Sequence, residues 1–217
     1  MIAAVVFDFD GVIADSEPLH LRALQEVIAP LGITLERAEY YARYLGYDDV
    51  GAFRAIATDR GVALDDAGIR ALIAGKSKIY QSLLAGDGVL YSGAAACVER
   101  MAASLPLGIA SGALRHEIEA ILRAGSLDRY FRFIVSSGDT AAGKPAPDPY
   151  LRAAALHGVP ASACVAIEDS RWGIESARAA GMKCVGITHT YPASELSAAD
   201  AIVDRLDALT PDFVRSI

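Results

Sequence analysis

The chain is short of three things, and each shortage excludes a class. Among its 217 residues stand only three cysteines, Cys97, Cys164 and Cys184, an odd number with no CxxC spacing. An odd number of scattered cysteines without CxxC fits neither a disulfide framework nor a thiolate metal site, so these three read as reduced, small core residues of a cytosolic protein. No run of lysine and arginine appears, and the formal net charge is −7. Nucleic acid and anionic membranes are bound through clustered cations, so neither is an expected partner. Long apolar runs are missing too. The first one ends at Asp8 and has no charged segment before it, too short for a signal peptide or a membrane span. The cytoplasm is the expected location.

What the chain does have is apolar residues, 53% of the total. That suffices for one large core, or one core with a small attached module. An acidic protein that handles an anionic substrate needs a cation or a local basic group at its site.

The stretch around which everything else is arranged is Val5-Val6-Phe7-Asp8-Phe9-Asp10-Gly11-Val12. Five apolar residues, 3 to 7, run into two aspartates and a glycine. An unbroken apolar run of this length is expected of a strand buried on both faces, in the middle of a parallel sheet. Ligands of open α/β sheets bind outside the carboxyl ends of the strands, where Asp8 and Asp10 would sit. One residue separates them, so on a continuing pleat both carboxylates face one side, close enough to share a cation.

Downstream, Asp15-Ser16-Glu17-Pro18 reads as a helix start with Ser16 as N-cap. Leu21, Leu24, Ile28 and Leu31 follow at helical spacing, and Gly32 closes the helix. Three more helices are expected, over 35–44, 49–60 and 65–84, broken at Gly46, Gly61 and Gly86. No strand is expected in these seventy or so residues. From Ser92 helices and strands alternate: helix 94–103, strand 107–110, helix 115–123, strand 133–135, a helix from Pro149 behind an Asp148 N-cap, strand 163–167, helix 173–180, strand 183–187 and strand 201–203. Alternation of this kind builds βαβ units and a parallel sheet. The expected fold class is α/β, a doubly wound parallel sheet with an all-helical module inserted after strand one. The expected division is a core of 1–14 and 88–217 and a helical module of 15–87.

Each strand leads into chemistry. The first ends in Asp8-Phe9-Asp10-Gly11, the second in Ser111-Gly112. The third is followed by Ser136-Ser137-Gly138-Asp139 and then by Gly143-Lys144-Pro145, and the fourth ends in Glu168-Asp169-Ser170. On a parallel sheet all of these fall on one edge. Taken singly, each has an ordinary reading: a turn at Ser111, a surface lysine at 144, dipole-stabilising acids at a helix start for Glu168 and Asp169. Together they assemble carboxylates, a hydroxyl, a glycine and a lysine, which suits phosphoryl transfer. Carboxylates and backbone oxygens suit Mg²⁺. A carboxylate can attack phosphorus. A hydroxyl and the N–H groups at a helix start can hold phosphate oxygens. A lysine offsets the repulsion between two anions.

These four stretches, DFDGV, SG, KPAPD and EDS in that order, resemble the haloacid dehalogenase superfamily of phosphatases and phosphomutases over the whole chain, and the insertion looks like its helical-cap branch. The resemblance implies Asp8 as nucleophile and Asp10 as general acid/base. It implies Mg²⁺ held by the Asp8 carboxylate, the Asp10 backbone carbonyl and the Asp169 carboxylate, with Glu168 acting mainly through a bound water. It implies Ser111, Gly112 and Lys144 around the transferring phosphoryl group, and a cis Lys144-Pro145 bond. The partner is then a small-molecule phosphate ester, and the chain is expected as a monomer or homodimer.

The insertion bears on specificity. His20 in its first helix and Gly46 at a helix break are the expected substrate contacts, with Lys76, Lys78 and Tyr80 as second candidates. A β-phosphoglucomutase-like enzyme needs a second phosphate site there, usually with an arginine after the glycine. Here Gly46-Tyr47-Asp48-Asp49 is acidic. Like charge against a phosphate in a desolvated site costs several kcal/mol, which favours a phosphatase over a mutase. Arg43 and Arg54 are the arginines near enough in sequence to reverse that balance. A different class, the phospho-aspartate receiver module, shares an aspartate cluster, a hydroxyl and a lysine, but normally lacks the long insertion. His116, His157 and His189 show no metal-ligand spacing and read as surface residues, and Trp172 as core or rim packing. Asp139 is expected to help close the site from outside the metal's immediate ligands.

Overall fold

The run of apolar residues after Met1 forms β1, Ala4–Phe7, and all four of its residues are buried. The computed structural model describes residues 1–45, 47–84 and 89–217. After β1 come four helices: α1 (Glu17–Ile28), α2 (Arg37–Arg43), α3 (Asp49–Arg60) and α4 (Asp66–Leu84). Then follow α5 (Ala94–Ala102), β2 (Leu107–Ala110), α6 (Arg115–Ala124), β3 (Phe131–Val135) and α7 (Asp148–His157). The chain continues through β4 (Cys164–Glu168), α8 (Arg171–Ala179), β5 (Lys183–Ile187), β6 (Ala201–Val203) and α9 (Pro211–Ser216). Among the described residues no helix is long and apolar enough to cross a membrane.

Two compact units result, Met1–Ser16 with Gly88–Ile217, and Glu17–Asp87. In the first, six strands form one sheet in the order β3-β2-β1-β4-β5-β6, and every pairing is parallel. This is the doubly wound α/β sheet expected from the sequence. β1, β2 and β4 are buried throughout because the sheet is covered on both faces. The chain leaves β1 towards β2 on one side and β4 on the other, which makes the end of β1 the topological switch point. A core of Val6, Ala110, Tyr150, Ala166, Ile174 and Cys184 packs one face. In the second unit, Leu21, Leu24 and Ile28 of α1 join Tyr40, Phe53, Ile56 and Ile69 in a separate core.

Several boundaries differ from expectation for local reasons. β3 begins at Phe131, two residues early, because it is an edge strand whose exposed Arg132 interrupts the apolar run. Asp148 is the first helical residue of α7 and Pro147 holds the capping position. α1 closes through a short 3₁₀ turn, Ala29–Leu31, on the left-handed Gly32. Ser16 directs its hydroxyl to the Asp10 carboxylate. His189 is not a surface residue: it is partly buried and its ring stacks on Tyr91. His157 is also partly buried, edge-on to Phe133.

Candidate active site

Register builds the site. Phe7 lies opposite Ile109 of β2 and Ile167 of β4. One residue further on, Asp8 therefore comes level with Ala110 and Glu168, and its N–H donates to the Ile167 carbonyl at 2.9 Å. β2 continues into Ser111, whose N–H donates to the Val135 carbonyl at 2.9 Å. Three neighbouring strands thus end at one level and deliver Asp8, Ser111 and Glu168-Asp169 side by side.

Asp8, Glu168 and Asp169 each present a carboxylate oxygen, and these three atoms lie within 4.8 Å of one another. All three residues are buried. Lys144 reaches the cluster from the loop between β3 and α7, with Nζ 2.9 Å from Asp8 Oδ1 and 2.6 Å from Glu168 Oε1. The Lys144-Pro145 bond is cis. Burial, followed by the Glu168 charge, pushes the Asp8 carboxyl up to about 7 against the opposing pull of Lys144. Burial, with Glu168 and Asp8, also holds the Asp169 carboxyl well above its ordinary range. For Lys144, burial works downward, but the Asp8 and Glu168 carboxylates outweigh it and hold the ammonium above the usual lysine range. Three buried carboxylates facing one ammonium carry excess negative charge that a bound cation would relieve.

The oxygens of this cluster are not equally occupied. Glu168 Oε1 accepts from Lys144 and from the Tyr150 hydroxyl at 2.7 Å, and Oε2 accepts from the Asp169 and Ser170 N–H groups and the Ser170 hydroxyl. Its lone pairs are already spoken for, so it contributes charge more than an open coordination position. The α8 N-terminus comes so close that a Cβ at Gly173 would lie 1.8 Å from Glu168 Oε1. Asp8 Oδ1 accepts from the Phe9 N–H at 2.7 Å as well as from Lys144, while Oδ2 has no hydrogen bond among the described residues. Asp10 lies two residues along, its carboxylate bonded to Ser16. Gly11 has φ +78°, and a Cβ there would stand 1.8 Å from Asp169 Oδ2. Glycine is required on both counts.

On the β2 side, Ser111 is buried and its Oγ accepts from the Ala113 N–H at 3.1 Å, which leaves its proton available to a ligand. Gly112 is exposed with open space around it. Asp139 holds the adjoining loop: its Oδ2 accepts from the Ser136 N–H and hydroxyl, both at 2.8 Å, and from Arg115 at 2.7 Å. Asp139 therefore braces the loop that carries Ser136, and Ser137 N–H in turn holds the Ala113 carbonyl.

The structure thus brings together Asp8, Lys144, Glu168 and Asp169, with Ser111, Gly112 and Asp10 on the same sheet edge. His20 belongs to the second unit, where its ring stacks on Tyr80 with centroids 4.2 Å apart and its Nδ1 lies 3.3 Å from Lys76 Nζ. Lys76 is buried and ion-paired with Asp49, and Lys78 is exposed. Gly46 lies outside the described residues. Sequence reasoning missed three contributors. Tyr150 donates to Glu168, Thr190 hydrogen-bonds Asp169, and His189 lies with Nδ1 3.0 Å from the Gly11 carbonyl. The last two follow β5, whose carboxyl end also meets this edge, and that strand end was the signal left unread. Trp172 packs edge-on to Tyr191 beside them, with centroids 6.0 Å apart.

The chain is 32% identical to the fructose-1-phosphate phosphatase YqaB of Escherichia coli, over 85% of this chain and 96% of that protein. It is 30% identical to the β-phosphoglucomutase of Bacillus subtilis, over 95% of this chain and 91% of that one. Among solved structures, CbbY of Rhodobacter sphaeroides in complex with xylulose-(1,5)bisphosphate superposes with a TM-score of 0.83 at 27% identity, covering 95% of both chains. The haloacid dehalogenase-like hydrolase family matches residues 2–181, and the chain belongs to that family.

Proposed function

We propose that this protein is a Mg²⁺-dependent phosphatase that hydrolyses a small phosphorylated metabolite of the sugar-phosphate or phosphoglycolate type. The observation that carries the reading is the triad of carboxylates, Asp8, Glu168 and Asp169, with oxygens within 4.8 Å of one another and one lysine bridging the first two. An all-oxygen donor set of this kind fits Mg²⁺, which would be held by the Asp8 and Asp169 carboxylates and the Asp10 carbonyl, with Glu168 behind a water. Bound there, the ion would draw charge from the phosphoryl oxygens and ease the approach of one anion to another.

The chain's own groups do the rest. Asp8 Oδ2, which has no hydrogen bond among the described residues, attacks phosphorus while Lys144 holds Oδ1. The ester P–O bond breaks, and Asp10 gives the leaving alkoxide its proton. Asp10 then takes a proton from a water that attacks the aspartyl phosphate, releasing inorganic phosphate and restoring Asp8. Ser111, the Gly112 N–H and Lys144 bind the phosphoryl oxygens throughout. The second unit is read as the family's helical cap, with His20 and Gly46 as substrate contacts, and the protein as a cytoplasmic monomer or homodimer.

A mutase reading has support from the Bacillus relative. It needs free positive charge for a second phosphate. Three cations of the second unit are already engaged: Arg43 with Glu39 and Asp59, Arg54 with Asp66, Lys76 with Asp49. This favours the phosphatase. The test is a panel of phosphate esters with Mg²⁺: phosphoglycolate, sugar and nucleoside monophosphates, and β-glucose 1-phosphate with a bisphosphate activator. Sustained phosphate release that disappears in Asp8→Asn supports the proposal. Conversion of glucose 1-phosphate to its 6-isomer supports the mutase, and a single-turnover burst supports a receiver.

A further inference from the structure

The loop that follows β5, residues 188–191, makes contacts that the catalytic scheme above does not use. The turn after β1 is closed by its own backbone: the N–H groups of Val12, Ile13 and Ala14 converge on the Phe9 carbonyl at 3.3, 2.8 and 3.0 Å, and Gly11 N–H donates to the Ala14 carbonyl at 2.9 Å. The Gly11 carbonyl is left over, and His189 Nδ1 meets it at 3.0 Å. A carbonyl only accepts, so Nδ1 carries the proton in that contact. The same ring stacks on Tyr91, with centroids 4.0 Å apart and planes 25° off parallel. Tyr91 sits on the returning one of two paired linking segments. Asp15 N–H donates to the Val89 carbonyl at 2.7 Å, Tyr91 N–H to the Ile13 carbonyl at 3.0 Å, and Ala14 and Leu90 form an antiparallel bridge. Next to His189, Thr190 bonds Asp169, and its hydroxyl stands 2.7 Å from where a Gly11 Cβ would be.

We infer that His189 is a positioning residue, which holds the turn carrying Asp10 by a hydrogen bond to the Gly11 carbonyl, its ring seated against Tyr91 of the paired linking segments. The inference rests on the proposed phosphatase reading for its effect on turnover, though not for its structural content. Asp10 must present its carboxyl to the leaving oxygen and its carbonyl to the cation position. Both depend on the orientation of a turn whose glycine has φ +78° and no side chain of its own to anchor it. Misplacement of a reacting group by about 1 Å costs on the order of a hundredfold in rate. A single hydrogen bond that fixes such a turn therefore acts on kcat more than on binding.

Two substitutions separate the two contacts. His189→Phe keeps the ring over Tyr91 and removes the donor. His189→Asn places an amide N–H where Nδ1 stood and removes the ring. Turnover of p-nitrophenyl phosphate with Mg²⁺ and backbone hydrogen exchange are measured on both, with peptides covering 9–16 and 89–92 compared against β4. His189→Phe is expected to lower kcat about tenfold with KM within about twofold, and to speed exchange in both linking peptides but not in β4. His189→Asn is expected to recover most of kcat, to within about threefold of the parent. Unchanged kcat and exchange in His189→Phe, or equal impairment of both variants, overturns the inference. Absence of phosphate release from the parent protein overturns the phosphatase reading instead, and the exchange measurement then decides the role of His189 alone.

Discussion

Lys144 Nζ stands 2.9 Å from Asp8 Oδ1, and the same ammonium is 2.6 Å from Glu168 Oε1. One cation on a loop thus neutralises carboxylates on two different strands, and both side chains it serves are nearly or wholly out of solvent. The sheet register forces Asp8 and Glu168 together, so without this lysine the end of the sheet would hold like charges side by side.

Replacing Lys144 with methionine should therefore do two things. Turnover should fall by at least about a hundredfold, because in the proposed mechanism the phosphoryl oxygens lose their fixed positive charge. Stability should fall by about 3–5 kcal/mol in urea titrations without divalent cation, since buried carboxylates are left unpaired. The sign with pH follows from the raised carboxyls. Asp8 already titrates near 7 in the folded chain against 3.8 when free. A raised acid holds its proton in the folded state and not in the unfolded state, so stability is lost as pH rises through that window. The variant should be weaker at pH 8 than at pH 5, and added Mg²⁺ should restore part of the difference. Parent-like stability at pH 8 would contradict the charge argument.

Tyr150 is fully buried and donates to the other side of the same group, 2.7 Å from Glu168 Oε1. Burial raises its hydroxyl pKa well above the ordinary value, so it stays a donor at any working pH. Tyr150→Phe keeps the ring beneath Lys144, which lies 5.0 Å from its centroid, and removes only the donor. Hydrogen bonds to a charged acceptor contribute about 1.5–3 kcal/mol, and urea titration should show a loss of that size. A loss below about 0.5 kcal/mol would mean that the other donors to Glu168 take up the slack.

Most of this site was legible in the sequence because strand ends are legible. Apolar runs mark the strands, a parallel sheet aligns their carboxyl ends, and Asp8, Ser111, Lys144, Glu168 and Asp169 each follow such a run. What was not legible lay off that pattern. Tyr150 is one residue of an amphipathic helix, and nothing in its spacing distinguishes a core tyrosine from one that holds a carboxylate. Arg132 broke the apolar signal of β3 because an edge strand is half solvated. Ser16 stands where the capping rules put it, immediately before α1, but those rules do not show that its hydroxyl donates to Asp10. His189 was readable in principle, since it follows β5 as Asp8 follows β1, but a histidine with no ligand spacing gives no reason to choose the site over the surface.

Gly173 makes a sharper steric test. Its Cα lies so close to the Glu168 carboxylate that a Cβ would stand 1.8, 1.9 and 2.1 Å from Oε1, Cδ and Oε2. Glu168 is fully buried and held by several donors, so it has nowhere to go. Gly173→Ala should destabilise by about 1–3 kcal/mol, as overpacking of a well-filled interior does, even though alanine is the better helix former. Gly143→Ala is the control, because a Cβ there meets nothing within 4 Å. Equal stability of the two variants would show that α8 can move away from Glu168.

His20 gives a pH prediction confined to the second unit. Its ring stacks on Tyr80, and Lys76 Nζ lies 3.3 Å from Nδ1, so the neutral imidazole accepts from a cation. Burial, and then the Lys76 charge, lowers its pKa from 6.5 to about 3. The unfolded chain therefore binds a proton on His20 that the folded chain refuses over that whole interval. Stability rises with pH wherever the unfolded state holds more protons, so this group makes stability fall as pH drops below 6.5. One proton is worth about 1.4 kcal/mol per pH unit at most. His20→Asn keeps an acceptor near Lys76 and cannot take the proton. The difference in unfolding free energy between parent and variant should tilt towards the variant by up to about 1.4 kcal/mol for each unit from pH 6 to pH 4. Parallel stability curves over that range would show that His20 titrates freely in the folded protein, and that the Lys76 contact does not hold it neutral.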